Sequence, residues 1–177
     1  MAKGMVRPGA KLIDVADAAE KFLRDKGYGI AFPMNISVNE QAAHYTPCLD
    51  DDKAFSNADL VKIDFGAEKD GYLGDCAITI DLSGKYSGLV SAANEAMAKA
   101  ISIVKAGVQV SEIGKVIAES IESKGFSPIK NLGVEPFRSC SSEYFFSPES
   151  CPAILTTNSG LFRIYRCASR PGSWHRR

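Results

Sequence analysis

A helix-length segment near the start of the chain recurs later, and this repeat constrains the fold more than any other feature of the sequence. Residues 7–28 align with residues 105–126 at a constant offset of 98, with matched apolar positions and a glycine at each end. Apolar spacings of three and four in both copies predict amphipathic helices ending at Gly27 and Gly125. Such an offset is too long for a solenoid and indicates duplication of a whole helix-plus-sheet unit.

Between the repeated helices, the sequence predicts three strands and one further helix. Residues 31–39 alternate, with Ile36 and Val38 on one face, and residues 60–66 and 72–82 are rich in β-formers around turn residues 68–71. A helix is predicted over about residues 89–104, and the second repeated helix over 111–124 with Ser111 as N-cap. The apolar stripe of the middle helix consists of Val90, Ala93, Met97, Ala100, Ile101 and Val104. The predicted class is α+β, an antiparallel hairpin sheet flanked by helices.

Two aspartates in the predicted hairpin are the strongest candidates for chemistry. If the turn centres on residues 69–70, Asp64 faces Asp75; if it centres on 70–71, Asp64 faces Ala77 and Asp75 faces Gly66. The connection has an even number of residues in either register, so both carboxylates share one face. Like charges placed this way repel, and a divalent cation would offset the repulsion. Two solvated aspartates on an edge hairpin are the alternative interpretation.

Composition excludes several classes of protein. Basic and acidic residues both number 21, so the global positive charge of a nucleic-acid-binding protein is absent. No apolar run is long enough for a membrane helix, and residues 1–5 contain no apolar h-region, so secretion is not expected. The five cysteines show no CxxC spacing. This cysteine pattern disfavours a disulfide framework and fits a reducing, cytoplasmic environment.

The composition changes near residue 137. Residues 1–137 contain 15 basic and 19 acidic residues, whereas residues 138–177 contain six arginines, no lysine and two acidic residues. A basic tail could bind nucleic acid or a membrane surface. The other interpretations are a poorly ordered terminus and a change of reading frame. We favour these two together, because the arginines are dispersed rather than clustered.

Two segments carry a resemblance to a known family. Residues 31–47, with Ala-His-Tyr-Thr-Pro at 43–47, and residues 62–75, with Lys-Ile-Asp-Phe-Gly at 62–66, closely resemble methionine aminopeptidases. The His-Tyr-Thr-Pro form is similar to the type II, archaeal and eukaryotic, branch. The resemblance covers roughly residues 6–133 and implies the pita-bread fold, whose halves are related by a pseudo-twofold axis. That symmetry agrees with the repeat.

The resemblance also implies a site. Asp64 and Asp75 match the family's first two metal-ligand aspartates, His44 its substrate-contacting histidine, and Phe32 the aromatic wall of its methionine pocket. A lone histidine such as His44 is otherwise usually structural. In that family two divalent ions (Co, Mn, Fe or Zn) activate a water that attacks the carbonyl after the initiator methionine of a nascent polypeptide. No catalytic acid or base is assignable in this sequence.

The sequence departs from the family after residue 133. The family's next ligand is a histidine in Asn-Leu-x-Gly-His, but Val134 follows Asn131-Leu132-Gly133 here, and Glu135 is left unassigned. We therefore expect an incomplete peptidase M24-type domain over residues 1–133, truncated or frame-shifted, and an atypical Arg/Ser/Cys-rich tail over 134–177. The expected function is metal-dependent removal of N-terminal methionine, inactive in this chain. The alternatives are a non-catalytic pita-bread module that binds ribosomes or RNA, and a proline-specific peptidase of the same fold.

Overall fold

The computed structural model describes residues 1–128 and 163–166, which contain four strands and four helices. All neighbouring strands are antiparallel, in the order β1-β2-β3-β4. The elements along the chain are α1 Ala2–Met5, α2 Leu12–Asp25, β1 Gly29–Val38, β2 Leu60–Lys69, β3 Tyr72–Asp81, α3 Ser87–Ile103, α4 Val110–Glu122 and β4 Arg163–Arg166. No helix in these described ranges has the length and apolar content to cross a bilayer.

The repeat seen in the sequence is also present in the backbone. Helices α2 and α4 are each followed by a glycine in the left-handed region, Gly27 with φ 77° and Gly125 with φ 79°. A side chain would be strained at that φ, so glycine is the residue that lets each helix end there. After each glycine, an aromatic residue donates its N–H to a carbonyl five residues earlier: Tyr28 to Leu23 at 3.0 Å and Phe126 to Ile121 at 3.3 Å. The two copies therefore end their helices with the same local structure.

The hairpin between β2 and β3 turns on Asp70 and Gly71. Both residues have positive φ, 54° and 81°, as a two-residue type I′ turn requires. The Gly71 N–H donates to the Glu68 carboxylate at 2.8 Å, which reinforces the turn. Of the two predicted registers, the one centred on residues 70–71 is therefore correct. The pairing extends to Lys69 and Tyr72, so β2 is longer than predicted.

The main core lies between α2 and one face of the sheet. Met34 and Ile36 of β1 and Val61 and Ile63 of β2 are fully buried. They pack in one cluster with the apolar stripe of α2, which consists of Leu12, Val15, Ala16 and Ala19. The alternation predicted for residues 31–39 is confirmed from Asn35 onward, because Ile36 and Val38 pack in this core and Asn35 lies on the opposite face, but it is interrupted between Ile30 and Asn35 by register shifts. The sheet thus has one face committed to packing and another on which a site can form.

A second, smaller cluster joins α3 to α4. The predicted burial of Ile101 and Val104 and the predicted N-cap at Ser111 were both wrong. Ile101 and Val104 are 53% and 60% exposed. The isoleucines of α4 pack against Ala96 and Ala100, which moves the buried stripe toward the alanines, and Val104 already lies beyond the helix with extended φ and ψ. Helix α4 begins at Val110 rather than after Ser111, with Gln109 at the N-cap and no side-chain cap bond.

The sequence did not predict β4. This strand pairs with β3 and places Arg163 opposite Asp75 in the backbone register. The remainder of the predicted tail, including Glu135, lies outside the described residues. The division at residue 133, the truncation or frame change, and the expectation that residues 138–177 pack poorly therefore stay predictions.

Candidate metal centre

Asp64 and Asp75 lie on the sheet face that points away from α2. The register pairs Asp64 with Ala77 and Gly66 with Asp75, so the two carboxylates are diagonal neighbours on one face. Diagonal positions in an antiparallel pair lie about 7–8 Å apart, close enough for two carboxylates to approach a common ion. Both aspartates are half-buried. The register therefore meets the geometric condition predicted from the even-numbered connection.

The pKa of the Cys76 thiol is raised by burial and, in part, by the negative charge of the two aspartates. Burial raises the pKa of Cys76 most, and the negative charges of Asp75 and Asp64 raise it further. Both carboxylates thus act on the same short stretch of β3. A negative potential here disfavours any additional anion and favours a cation.

Gly66 lets an aromatic side chain approach the carboxylates. A Cβ atom built on Gly66 would lie 2.9 Å from the Phe32 ring, 2.9 Å from the Ala31 Cβ and 3.0 Å from the Gly74 carbonyl oxygen. Real Cβ atoms essentially never approach so closely, so the absence of a side chain at position 66 makes room for the Phe32 ring. Because Gly66 also pairs with Asp75, Phe32, Gly66 and Asp75 form one row across the sheet.

An irregularity in β1 brings a second row onto the same face. Phe32 pairs with Gly66 and Asn35 pairs with Asp64, so three steps along β1 correspond to two along β2. In a regular strand, Phe32 and Asn35 would lie on opposite faces, because side chains alternate. The extra residue of this β-bulge puts both on the face that carries Asp64 and Asp75. Pro33 lies within the bulge, where a residue without an N–H is tolerated.

His44 lies in the loop between β1 and β2, which is tied to the same rows. Thr46 donates its hydroxyl to Asn35 Oδ1 at 2.7 Å, and Asn35 pairs with Asp64. Ile36 donates its N–H to the Tyr45 carbonyl at 2.7 Å. His44 itself is exposed and has φ 65°, an uncommon conformation for a side-chain-bearing residue. Its neighbours are fixed to β1, so the loop holds His44 near the sheet.

The Tyr45 side chain anchors this loop from its other end. Its hydroxyl donates to Asp51 and accepts from Lys53 Nζ at 2.6 Å, and the Lys53 ammonium lies 4.0 Å from the ring centroid. The hydrogen bond to Asp51 is the largest cause of a raised pKa for Tyr45, and the bond from Lys53 opposes it. Asp51 also accepts the backbone N–H of Lys53 at 3.0 Å, so this carboxylate closes the loop.

Tyr45 is therefore expected to titrate above its usual pKa of about 10. Since the folded-state pKa is the higher one, its contribution to stability is present below about pH 10 and is lost as the pH rises through the folded-state pKa. Ultraviolet difference titration, with Tyr45→Phe identifying the signal, would measure the shift. Asp51→Ala is expected to lower this pKa because Lys53 then acts alone, while Asp50→Ala should leave it unchanged. Equal titration in Asp51→Ala would contradict the expectation.

The described residues do not complete a metal site. Carboxylate oxygens suit hard divalent cations, and Asp64 and Asp75 provide them. In residues 1–128 and 163–166, however, no group of three or more His, Cys, Asp or Glu side chains converges in a way that could hold a metal ion. The two aspartates thus fit part of a metal centre, and the assignment of Asp64, Asp75, His44 and Phe32 to roles stays a prediction.

Sequence reasoning missed some residues that shape this site. Asn35 connects the His44 loop to Asp64, and Gly66 makes room for Phe32. A glycine within a strand pattern signals a bulge or a close approach, and a proline within one signals a bulge or an edge. Gly66 and Pro33 therefore carried usable signals, whereas the role of Asn35 depends on a register that the sequence leaves open.

Known proteins resemble this chain in sequence and in fold. The sequence matches metallopeptidase family M24 over residues 1–145. A methionine aminopeptidase from Methanocaldococcus jannaschii is 48% identical over 128 residues, which are 72% of this chain and 44% of that protein. A methionine aminopeptidase from Archaeoglobus fulgidus is 48% identical over 127 residues, which are 72% of this chain and 43% of that protein. The chain thus spans less than half the length of these curated relatives.

A solved structure supports the same assignment. The methionine aminopeptidase from Thermotoga maritima superposes with a TM-score of 0.69 at 27% identity, covering 75% of this chain and 57% of that chain. The predicted α+β class and partial pita-bread fold are confirmed, as is the predicted resemblance to methionine aminopeptidases. The family match covers more than half of the residues, and the chain therefore belongs to metallopeptidase family M24.

Proposed function

We propose that this chain carries part of a methionine aminopeptidase that removes the N-terminal methionine of nascent polypeptides in the cytoplasm. The observation that carries the proposal is the arrangement of two rows of residues on one sheet face. In one row Phe32 pairs with Gly66, and Gly66 pairs with Asp75; in the other, Asn35 pairs with Asp64. An apolar wall next to two carboxylates suits an apolar N-terminal side chain next to a metal-bound reaction centre. The free thiols of Cys48 and Cys76 are compatible with a reducing compartment.

In this proposal Asp64 and Asp75 supply oxygen ligands to a pair of divalent ions (Co, Mn, Fe or Zn), and bound metal supplies an activated water for attack on a peptide carbonyl. Phe32 contacts the methionine side chain, and His44 contacts the substrate from the loop. Two carboxylates without further ligands hold divalent metal weakly, so the proposal assigns activity to the complete site and not to these two residues alone. The named relatives are aminopeptidases, which supports this function over the ribosome- or RNA-binding alternative.

A chimera tests the proposal. Residues 1–128 of this chain, joined to the remaining carboxyl-terminal part of the M. jannaschii relative, are expected to release methionine from a Met-Ala-Ser tripeptide when Mn²⁺ or Co²⁺ is supplied. Asp75→Asn in the chimera should abolish release. Asp70→Asn is the matched control in the same hairpin, because asparagine tolerates the left-handed turn, and it should leave release unchanged.

Two results would count against the proposal. One is a folded chimera that binds Mn²⁺ but releases no methionine. The other is salt-dependent retention of RNA by the full 177-residue chain, which would favour the non-catalytic alternative because such binding comes from phosphate contacts and counterion release.

A further inference from the structure

Glu20 is an acidic residue on the apolar face of α2. It is only 6% exposed, between the core positions Ala19 and Leu23. Burying a carboxylate costs free energy, and an apolar residue of similar size is often neutral or stabilising at such a position. A buried acid in the core stripe therefore calls for a specific partner.

That partner is the β-bulge of β1. Glu20 Oε1 accepts the backbone N–H of Met34 at 3.1 Å, in a buried hydrogen bond between α2 and the strand. The bulge shifts the register between Phe32 and Asn35, and a bulge leaves its extra residue without a regular ladder partner. The other carboxylate oxygen accepts from Arg24 at 3.2 Å, in a pair whose arginine side chain is 57% exposed.

We propose that Glu20 is a positioning residue for the substrate wall: by accepting the Met34 N–H it fixes the bulge that puts Phe32 over Gly66, on the same sheet face as Asp64 and Asp75. Without the bulge, Phe32 and Asn35 would fall on opposite faces, so the wall and the Asp64 row would separate. The functional part of this inference rests on the proposed function, since it takes Phe32 as the contact for methionine. The structural part, that the bond from Met34 to Glu20 fixes the bulge, does not depend on the proposed function.

The acceptor can be tested by substitution in the full chain. Glu20→Leu introduces an apolar side chain of similar size and removes the acceptor, whereas Glu20→Gln keeps an oxygen that can accept the same N–H. Arg24→Gln is the matched control, because it removes the ion pair and keeps the carboxylate. Hydrogen exchange of the Met34 amide is compared with that of the Ile36 amide, which bonds to Tyr45 instead. The ratio of the two rates separates a local effect from general destabilisation.

We expect Glu20→Leu to raise the Met34 exchange rate relative to Ile36 by about tenfold or more, and to remove the nuclear Overhauser effect between the Phe32 ring and the Gly66 α-protons. Glu20→Gln and Arg24→Gln should keep both signals. An unchanged exchange ratio in Glu20→Leu would overturn the proposal. So would an increase of the exchange ratio in Glu20→Gln as large as the one expected for Glu20→Leu. Should Glu20→Leu fail to fold, a Met34 amide in the unsubstituted chain that exchanges much faster than Ile36 would overturn it too.

The chimera then tests the link to function. Glu20→Leu is expected to raise KM for Met-Ala-Ser more than it lowers kcat, because Phe32 contacts the substrate and not the reacting atoms. A chimera with no activity would count against the proposed function and leave the exchange result to decide the positioning role. A raised Met34 exchange rate in Glu20→Leu, together with an unchanged KM, would count against Phe32 as the substrate wall.

Discussion

The purified 177-residue chain is expected to release no methionine from Met-Ala-Ser above the buffer background, whether Mn²⁺, Co²⁺ or Zn²⁺ is supplied. Asp64 and Asp75 are diagonal neighbours on one sheet face, and among the described residues no group of three or more potential metal ligands converges. In the sequence, residues 131–137 read Asn-Leu-Gly-Val-Glu-Pro-Phe, without the ligand histidine that the family resemblance places in this segment. The loss of a proton acceptor alone typically lowers a rate by ~10²–10⁴, and an incomplete metal site lowers it further.

The active chimera is the positive control for this measurement, since it shows that substrate and metal are competent. The informative contradiction is turnover by the 177-residue chain that disappears in Asp75→Ala. Such a result would mean that residues outside the described part complete the site. Glu135, Glu143 and Glu149 would then be the first positions to mutate, because they are the acidic residues that the sequence offers there.

The fold was predictable from the sequence to the extent that periodicity and turn residues determine it. The repeat at offset 98 reappears as two helices with matching left-handed glycines, because a glycine after an apolar stripe is a strong local signal. The hairpin was predicted correctly, but its register was not decided. The Asp-Gly pair at residues 70–71 is a preferred type I′ turn sequence, whereas the Lys-Asp pair at 69–70 is not. This preference was sufficient to decide which residue Asp64 faces.

The site was less predictable, because it depends on how elements meet. Asp64 and Asp75 sharing a face follows from strand alternation alone. The arrival of Phe32 on that face follows from a bulge, and a bulge reverses the alternation on which such a prediction depends. The role of Glu20 was not predicted either. An acidic residue in a helix is expected to be solvated unless its partner on another element is known. Strand β4 was missed because four residues carry too little periodicity to indicate a strand.

Substitution of Ile63 by alanine is expected to lower the free energy of unfolding by about 2–5 kcal/mol. The side chain is fully buried, and its strand position pairs with Ile36 on one side and Ile78 on the other. The side chain packs in one cluster with residues of α2 and of the neighbouring strands, and such surroundings relax only partially around a new cavity. A typical domain has about 5–15 kcal/mol of stability in total, so this single change would remove a large share.

Urea unfolding followed by circular dichroism measures the effect. Leu49→Ala is the matched control, because Leu49 is 74% exposed and its truncation should change stability by no more than about 0.5 kcal/mol. A loss in Ile63→Ala as small as that in the control would mean that α2 does not pack on this sheet face as described. The same result would weaken the Glu20 inference, because the bond from Glu20 to Met34 requires α2 to lie against β1.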